Sequence, residues 1–339
     1  MRICLLGECR GNLDEGMRNI TLCFADYLSK NHQILALDLR DVFSKDFWEK
    51  IRDLKPDIVH YLHGPTIRSF ILAKIISLYC RDAKIVMSGM RPVIPYLLRE
   101  FISLIKSDLI LTQSYETEKM FKRLGCKTEF LPIGVDINKF KPVPKETKRE
   151  LRQKYGFDEE KFIILHIGSI KKGRNVQLLT KLQRDDNQIL IVGSSSTGID
   201  PKVSQSLIES GCLVWVKYIK NIEEIYALSD CYIYPTVSRY DFLGRAIADS
   251  IEMPLTVVEA MSCNLPVITT KFGALPRVFK EGDGLFFVEN EDDIFMVLER
   301  IKKTNMKVKT REKVLPYSWE NIGKRLEEIY SNLMVGENQ

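Results

Sequence analysis

The sequence contains no Cys-x-x-Cys pair and only four histidines. Its eight cysteines are scattered, and several lie inside apolar, strand-like runs. A zinc cluster or a redox dithiol is therefore a poor explanation of what the protein does. Isolated cysteines in apolar runs are typical of small buried side chains in a reducing compartment, so we expect a cytoplasmic protein.

Long apolar runs are also missing. None reaches the ~18 residues that a membrane-spanning helix requires, because Lys74, Arg99 and Lys106 interrupt the longest candidates. An apolar strand begins at the third residue, so we expect no signal peptide. The remaining membrane hypothesis is a peripheral contact at the inner face, through apolar helices with basic residues predicted at 66–80 and 93–106.

Neither sign of charge dominates, since the formal net charge is +5. Residues 1–150 hold 25 Lys and Arg against 19 Asp and Glu, whereas the remainder holds 25 against 26. A basic first half suits an anionic membrane surface or an anionic acceptor. The excess is too small to indicate nucleic-acid binding, and no aromatic-basic motif supports it.

The 339 residues exceed what one hydrophobic core usually holds, so two domains are expected. Both halves alternate short apolar runs with helical patterns, which predicts α/β domains with parallel sheets covered on both faces. The predicted strands are Ile3–Gly7, Gln33–Leu37, Asp57–Leu62, Lys84–Met87, Asp108–Thr112, Thr128–Pro132, Phe162–Gly168, Gln188–Gly193, Cys212–Lys217, Cys231–Pro235, Pro266–Thr269 and Leu285–Val288.

The strongest functional signal is IEMPLTVVEAMSCNLPVITTKFGALPR, which begins at residue 251. Pro254 suits the first position of a helix, where Thr256 and Val257 would have open N–H groups that attract phosphate. Glu259 lies about one turn further in, and Glu252 lies just outside. The two carboxylates could bracket a nucleotide diphosphate-sugar, one at the ribose and one at the sugar. The alternative is an amphipathic helix on a sheet with a surface glutamate.

Part of this stretch, PLTVVEAMSCNLPVITTKFGALP, resembles the nucleotide-binding segment of the retaining glycosyltransferases of the family 4 type, which have the GT-B fold. A second hallmark of that family, GVDxxxFxP, is matched by LPIGVDINKFKP. The resemblance implies two Rossmann-like, doubly wound domains that face each other across a cleft. It assigns 1–142 to an acceptor domain, 143–316 to a nucleotide-sugar domain, and 317–335 to a helix that crosses back to the first domain.

The resemblance also assigns roles to the two glutamates. Glu259 matches the ribose ligand of the family. The family has seven residues between its paired glutamates, but only six separate Glu252 from Glu259 here, and Ile251 stands in the family's position. Glu252 is therefore a shifted candidate for the contact with the transferred sugar.

Positive charge follows the first strand of the second half, in HIGSIKKGRNVQLL. Gly168 frees the backbone there, while Lys172 and Arg174 suit a diphosphate, which an arginine can hold bidentately. By resemblance, Lys172 matches the family's phosphate-binding lysine, and Arg174 substitutes for an arginine that Ser169 replaces. Gly273, after the central stretch, would give backbone access to the cleft.

The first half offers three further candidates. Gly16 precedes a predicted helix and allows close backbone approach, and the resemblance places it near the donor phosphate and the acceptor. His63 ends a strand and is expected to face the cleft, whereas His60 points to the opposite face and should be packed. Ser88 lies where the family often has a histidine, which leaves Arg91 as the nearest polar group able to reach a substrate.

The leading hypothesis is a retaining glycosyltransferase of the hexosyltransferase type that uses a UDP- or GDP-sugar and a glycan, lipid-linked or small-molecule acceptor. Lys172, Arg174 and the helix N-terminus near Thr256 would stabilise the leaving diphosphate. No acidic pair stands where a metal would be needed, so we predict neither metal nor cofactor. Asp14 and Glu15 are the near candidates if a paired-carboxylate mechanism applied.

Two alternatives remain open at this point. A nucleotide-sugar epimerase would share the fold and would need no separate acceptor. A non-catalytic nucleotide-sugar-binding subunit would bind the donor without turning it over.

Overall fold

The computed structural model describes residues 1–243 and 246–336. The chain divides into two compact units, each with a six-stranded sheet. The first unit comprises Met1–Gly134, Arg239–Met253 and Trp319–Gln339, and the second comprises Val135–Ser238 and Pro254–Ser318. The connection 236–253 is longer than typical strand-to-helix connections, so its sequence is consistent with either a sugar-selecting lid or a surface excursion. Its Gly244 and Arg245 lie outside the described residues.

The first unit is a parallel sheet in the order β2-β1-β3-β4-β5-β6. Its strands are β1 (Arg2–Gly7), β2 (Gln33–Asp38), β3 (Ile58–Tyr61), β4 (Lys84–Gly89), β5 (Leu109–Thr112) and β6 (Thr128–Phe130). The helices that connect and cover them are α1 (Gly16–Leu28), α2 (Lys45–Leu54), α3 (Ile67–Tyr79), α4 (Arg99–Ile102), α5 (Tyr115–Arg123) and, from the end of the chain, α13 (Trp319–Val335). The apolar runs form strands because helices bury them on both faces.

The second unit is a parallel sheet in the order β12-β11-β10-β7-β8-β9. Its strands are β7 (Phe162–Ile167), β8 (Asn187–Gly193), β9 (Leu213–Val216), β10 (Cys231–Tyr234), β11 (Val267–Thr269) and β12 (Leu285–Phe287). Its helices are α6 (Lys145–Tyr155), α7 (Pro201–Glu209), α8 (Ile222–Leu228), α9 (Leu255–Ser262), α10 (Leu275–Val278), α11 (Glu291–Lys303) and α12 (Thr310–Val314). The two doubly wound α/β units confirm the predicted fold class.

Each sheet has one topological switch point, where the strand order reverses. In the first unit β2 pairs with one side of β1, and the next strand along the chain, β3, pairs with the other side. In the second unit β7 is followed by β8 on one side, and β10 lies on the other. Ligands of such sheets bind beyond the carboxyl ends of the strands that flank the switch point. The strand ends at β1 and β3 and at β7 and β10 are therefore where a site is expected.

The C-terminal helix returns to the first unit, as the resemblance implied. Gly323 in α13 lets the helix approach α1 closely, because an added Cβ would lie 2.2 Å from a ring carbon of Tyr27. The Tyr27 hydroxyl lies 3.3 Å from a carboxylate oxygen of Glu327. Further along, Tyr330 is buried and bonds His60. Small residues and aromatic rings thus fix this helix on the first domain.

Two predicted elements differ in the structure. The helix expected at 93–106 is reduced to the short 3-10 turn Tyr96–Leu98 and the four-residue α4. Pro95 precedes that turn, and a proline inside a helix removes a hydrogen bond and clashes with the preceding turn.

Conversely, the high charge of Lys139–Arg152 predicts an exposed linker and the start of the second domain, but most of this stretch forms α6. It begins after Pro144, and Gly156 ends it in the left-handed conformation. This helix is hard to predict from the sequence, because α6 has almost no apolar face. Its one buried side chain is Arg152, whose guanidinium bonds the Asp230 carboxylate at 2.5 Å.

Among the described residues, no helix is long and apolar enough to cross a membrane.

Candidate functional site

Several of the residues predicted to bind the donor lie at the switch point of the second unit. Gly168 directly follows β7, and the 3-10 turn Lys172–Arg174 comes four residues later. The Arg174 guanidinium donates to the Tyr234 hydroxyl of β10 at 3.3 Å. Its carbonyl accepts a bond from the Thr236 hydroxyl at 3.3 Å. Arg174 is thus held at the carboxyl ends of the two strands that flank the switch point.

Lys172 is placed differently from Arg174. Its side chain is exposed, and its ammonium has no hydrogen-bond or ion-pair partner among the described residues. Gly273, on the loop that follows β11, has a positive φ of 53°, and its N–H donates to the Ser238 hydroxyl at 3.4 Å. The structure therefore provides one cation held by hydrogen bonds, one exposed cation and a glycine turn around the ends of β7, β10 and β11.

The N-terminus of α9 is tied to the same strand ends by Tyr232. The hydroxyl of this buried β10 side chain lies 2.7 Å from Thr256 Oγ1 and 3.2 Å from the Ile167 carbonyl. Pro254 occupies the N-cap and not the first helical position that we expected. The Val257 N–H is not open, because it donates to the Pro254 carbonyl at 3.2 Å. Of the two predicted backbone donors, only that of Thr256 remains a candidate for an anion.

Glu259 lies on the same face of α9 as Thr256, one turn further in. It is 8% exposed, and its Oε2 accepts a bond from the Tyr226 hydroxyl of α8 at 2.7 Å. The Tyr226 hydroxyl also lies 3.4 Å from the Thr256 carbonyl. Burial raises the pKa of Glu259 to about 7, and the nearby Lys139 partly opposes that shift. A buried carboxylate with one protein donor has remaining acceptor capacity for ligand hydroxyls.

Sequence reasoning overlooked His166, which lies under this site on β7. Its Nδ1 lies 2.9 Å from the Ile233 carbonyl, and its ring stacks between those of Tyr232 and Tyr234. Burial lowers its pKa to about 4, so the ring is neutral and Nδ1 carries the proton. A Cβ at Gly168 would lie 3.3 Å from His166 Nε2. Glycine at position 168 is thus favoured by the ring beneath it.

The switch point of the first unit holds an ionic cluster that includes His63. Glu8 follows β1, and its Oε1 lies 3.6 Å from His63 Nδ1, after β3. Its other oxygen lies 3.3 Å from the Arg18 guanidinium of α1, and Arg18 is only 7% exposed. The sequence contained a signal for Glu8, because it directly follows the glycine that ends the first strand. Sequence reasoning named Asp14 and Glu15 in the same loop and missed Glu8.

Arg91 extends the same cluster from the end of β4. The Arg91 guanidinium lies 3.1 Å from the Asp249 carboxylate, and the Arg91 backbone N–H donates to the Gly64 carbonyl at 3.0 Å. Burial, together with the charge of Arg91, lowers the pKa of His63, whereas Glu8 acts in the opposite direction. The charge of Arg91 therefore acts on His63, so the two residues share one cluster; their contact with a substrate stays a prediction.

Gly16 is the first residue of α1, whose N-terminus is occupied by Glu15. The Glu15 carboxylate caps that helix by accepting the Arg18 N–H at 2.8 Å. It is therefore engaged in local structure. A negative charge already sits at the helix end where Gly16 was expected to face a phosphate.

His60 on β3 is packed in the core, as the sequence predicted, and it bonds Ser88 on β4. This histidine is fully buried, with Nδ1 2.6 Å from the Tyr330 hydroxyl and Nε2 2.8 Å from the Ser88 hydroxyl. Ser88, at the position where the family often has a histidine, is consequently part of the core.

Glu252 belongs to the first unit, although we assigned it to the nucleotide-sugar domain. Its Oε2 accepts the Ser114 N–H at 3.1 Å, and its Oε1 accepts the Thr117 hydroxyl. Ser114 is the N-cap of α5, so both carboxylate oxygens stabilise the start of that helix. Burial raises the pKa of Glu252 to about 7. The structure thus gives Glu252 a capping role within the first unit.

Replacing Glu252 with alanine is expected to lower the free energy of unfolding by about 1 kcal/mol, the usual cost of losing a helix N-terminal cap. Urea unfolding followed by circular dichroism measures this change. Glu116→Ala is the control, because Glu116 lies exposed in the first turn of the same helix. Unchanged unfolding of Glu252→Ala together with lost sugar transfer would instead return Glu252 to the sugar site.

No group of three or more His, Cys, Asp or Glu side chains lies close enough to hold a metal ion within residues 1–243 and 246–336.

Comparison with known proteins places these sites in a family context. Residues 147–320, about half of the chain, match the family model described as Glycosyl transferases group 1. A GDP-mannose-dependent monoacylated alpha-(1-6)-phosphatidylinositol monomannoside mannosyltransferase of Corynebacterium glutamicum is 29% identical over 219 residues, which cover 59% of this chain and 55% of the relative. N-acetyl-alpha-D-glucosaminyl L-malate synthase of Bacillus anthracis is 26% identical over 205 residues, which cover 56% of this chain and 50% of the relative. The chain thus matches about half the length of these curated relatives.

Solved structures agree on the fold over nearly the whole chain. A glycosyltransferase from Rickettsia africae has a TM-score of 0.74 at 18% identity, with 98% of both chains covered. Anabaena HepE in complex with UDP and glucose has a TM-score of 0.72 at 14% identity, with 98% of this chain and 99% of that chain covered. With its two doubly wound units and the family model matched across the second, this chain belongs to the glycosyl transferases group 1 family.

Proposed function

We propose that the protein is a retaining glycosyltransferase of the hexosyltransferase type. It moves a sugar from a nucleotide diphosphate-sugar to a glycan, lipid-linked or small-molecule acceptor. The observation that carries this proposal is the set of groups at the switch point of the second unit. There Arg174, the Thr256 end of α9 and the buried Glu259 are held by three tyrosine hydroxyls around the ends of β7 and β10.

Each of these groups matches one part of the donor. The diphosphate would lie against Arg174 and Lys172, because an arginine presents a planar pair of donors to phosphate oxygens. The ribose hydroxyls would donate to Glu259, whose other partner is Tyr226. The base identity is left between uracil and guanine: the Anabaena relative was solved with UDP, and the Corynebacterium relative is named for GDP-mannose.

Donor cleavage builds negative charge on the leaving diphosphate. Fixed donors that face this charge stabilise the transition state more than the ground state, because they need no reorganisation as the charge develops. Arg174 meets this description, since Tyr234 and Thr236 bond its guanidinium and its carbonyl. The exposed Lys172 would close onto the diphosphate when the donor binds.

The acceptor would be held by the first unit, at the cluster of Glu8, His63 and Arg91. Glu8 lies beside Nδ1 of His63, which favours the tautomer with its proton on Nδ1 and leaves Nε2 as the acceptor for a substrate hydroxyl. With a lipid-linked acceptor the protein would work in the cytoplasm, in peripheral contact with the inner face of the membrane. Eight cysteines without a disulfide support a reducing compartment.

The direct test incubates the protein with radiolabelled UDP- and GDP-sugars and panels of lipid-linked, glycan and small-molecule acceptors. We expect transfer with retained anomeric configuration from one donor class. Epimerised sugar formed without an acceptor would contradict the proposal in favour of an epimerase. Donor binding without turnover on any acceptor would indicate a binding subunit.

Glu8→Gln is expected to slow sugar transfer by roughly tenfold or more, since Glu8 positions His63 and a positioned proton-transfer group contributes about 10²–10⁴-fold. Because the Glu8 charge raises the pKa of His63, its loss should also shift the acidic limb of the pH–rate profile to lower pH. Affinity for the nucleoside diphosphate should stay unchanged. A slower enzyme with an unshifted profile would show that Glu8 only supports Arg18.

A further inference from the structure

The first unit exposes large apolar side chains on α3 and on the segment that follows β4. On α3, Ile71, Ile75 and Leu78 recur at helical spacing on the solvent side, and Leu78 is 62% exposed. In the segment after β4, Leu97 is 88% and Leu104 is 74% exposed. Single exposed apolar residues are ordinary, but a contiguous group is typical of an interaction surface.

These side chains lie on one face of the unit. The connections β3-α3-β4 and β4-α4-β5 step in the same direction across the sheet, and right-handed crossovers place both helices on the same side. Phe70 of α3 and Ile102 of α4 belong to the same core cluster. The outward sides of α3 and of residues 96–104 are therefore neighbours.

The connection between β10 and α9 adds a third element to this face. The Tyr96 N–H donates to the Leu243 carbonyl at 3.0 Å, which fixes the connection beside the segment that follows β4. Next to Leu243, Phe242 is 89% exposed. We call the outward sides of α3, residues 96–104 and Phe242 the apolar face.

Basic residues accompany the apolar face. Residues 66–106 contain seven Lys and Arg against two Asp and Glu, an excess equal to the +5 of the whole chain. Arg68 and Lys74 flank Ile71 on α3, and Lys106 follows Leu104, all three being exposed. A second copy of this chain would bring like charges together. An anionic bilayer would instead pair with the basic residues while its interface receives the apolar side chains.

We propose that the apolar face inserts into the interfacial region of an anionic lipid bilayer. Leu97, Phe101, Leu104 and Phe242 would enter the headgroup and acyl boundary, and Arg68, Lys74 and Lys106 would contact lipid phosphates. The inference deepens the proposed function in one respect, because a lipid-linked acceptor would then be taken from the membrane; insertion itself does not depend on sugar transfer.

The test is co-sedimentation of the full chain with vesicles, without donor or acceptor. We compare phosphatidylcholine alone with phosphatidylcholine that contains phosphatidylglycerol, at low and high salt. The wild type should bind the anionic vesicles, and high salt should weaken that binding. The variant Leu97→Ser/Phe101→Ser/Leu104→Ser should lose about tenfold or more in its partition coefficient, since each side chain loses a share of its burial energy.

A matched control replaces exposed apolar side chains with serine outside the apolar face. Ile208→Ser/Met296→Ser removes exposed apolar side chains from the second unit and should bind vesicles like the wild type. Circular dichroism checks that all variants fold. Absent vesicle binding, or equal binding by the triple variant, would overturn the inference. So would a wild-type dimer in analytical ultracentrifugation that the triple variant converts to a monomer.

The outcomes also separate this inference from the proposed function. Sugar transfer to a soluble acceptor without vesicle binding would refute the apolar face as a membrane contact and leave the transferase standing. Vesicle binding by a protein that transfers no sugar to any acceptor would support the membrane contact and refute the transferase.

Discussion

Replacing Lys172 and Arg174 together with alanine is expected to weaken the binding of a nucleoside diphosphate by more than about 2 kcal/mol, or about 30-fold. Both cations lie on the turn after β7, and Arg174 is fixed there by Tyr234. A hydrogen bond to a charged group contributes about 1.5–3 kcal/mol when its loss leaves the partner unsatisfied. Isothermal titration calorimetry with UDP and GDP measures the change.

The control for this variant removes two positive charges from the same unit at a distance from the site. Lys303→Ala/Lys307→Ala suits this purpose, because both side chains are exposed and lie at or beyond the C-terminal end of α11, away from the carboxyl ends of the strands. It should bind the nucleotide almost like the wild type. Arg174→Lys separates charge from geometry: it keeps the cation but loses the planar pair of donors, so we expect an intermediate affinity. Equal affinity in all these variants would show that the diphosphate binds elsewhere.

Glu259→Ala is expected to reduce affinity for a ribose-bearing nucleoside diphosphate by roughly tenfold to a hundredfold, the range for losing hydrogen bonds to a charged acceptor. The binding should also depend on pH. Because burial raises the pKa of Glu259 to about 7, the carboxyl is protonated below neutrality and ionised above it. An ionised carboxylate accepts ribose hydroxyls more strongly, so wild-type affinity should rise as the pH increases through 7.

Two variants check the pH argument. Glu259→Gln cannot ionise, so its affinity should be lower and its dependence near pH 7 should disappear. Tyr226→Phe keeps the carboxyl but removes the donor that stabilises its charged form, so the pKa of Glu259 should rise and the binding transition should move to higher pH. A Glu259→Ala protein that is unfolded would mark this residue as structural. Unchanged affinity in a folded Glu259→Ala would remove it from the ribose site.

Most strands were predictable from the sequence, because they are short apolar runs between turn residues and are buried in their sheets; the edge strands β6 and β9 are only partly buried. The start of β7 at Phe162, for example, was predicted from the apolar run Phe162–Gly168. The helices were harder where composition and tertiary context disagree. The stretch at 93–106 is apolar enough for a helix, yet Pro95 limits it, while α6 is so charged that only the burial of Arg152 reveals how it is anchored.

The candidate site was predictable to the extent that it follows strand ends. Gly168 directly follows β7, Arg174 lies on the turn after it, and His63 closely follows β3, so their placement near the switch points follows from the topology. Glu252 was not predictable in this way. Its surroundings depend on the segment Arg239–Met253 joining the first unit, which only a folded chain determines. Glu8 could have been found by applying the strand-end rule to β1.

The central claim is that the second unit binds the diphosphate and the ribose of a sugar donor at the ends of β7 and β10. A crystal structure of the protein with UDP or GDP bound tests it most directly. The account predicts diphosphate oxygens within hydrogen-bond distance of Arg174 and ribose hydroxyls on the Glu259 carboxylate. A nucleotide bound away from both side chains would contradict it.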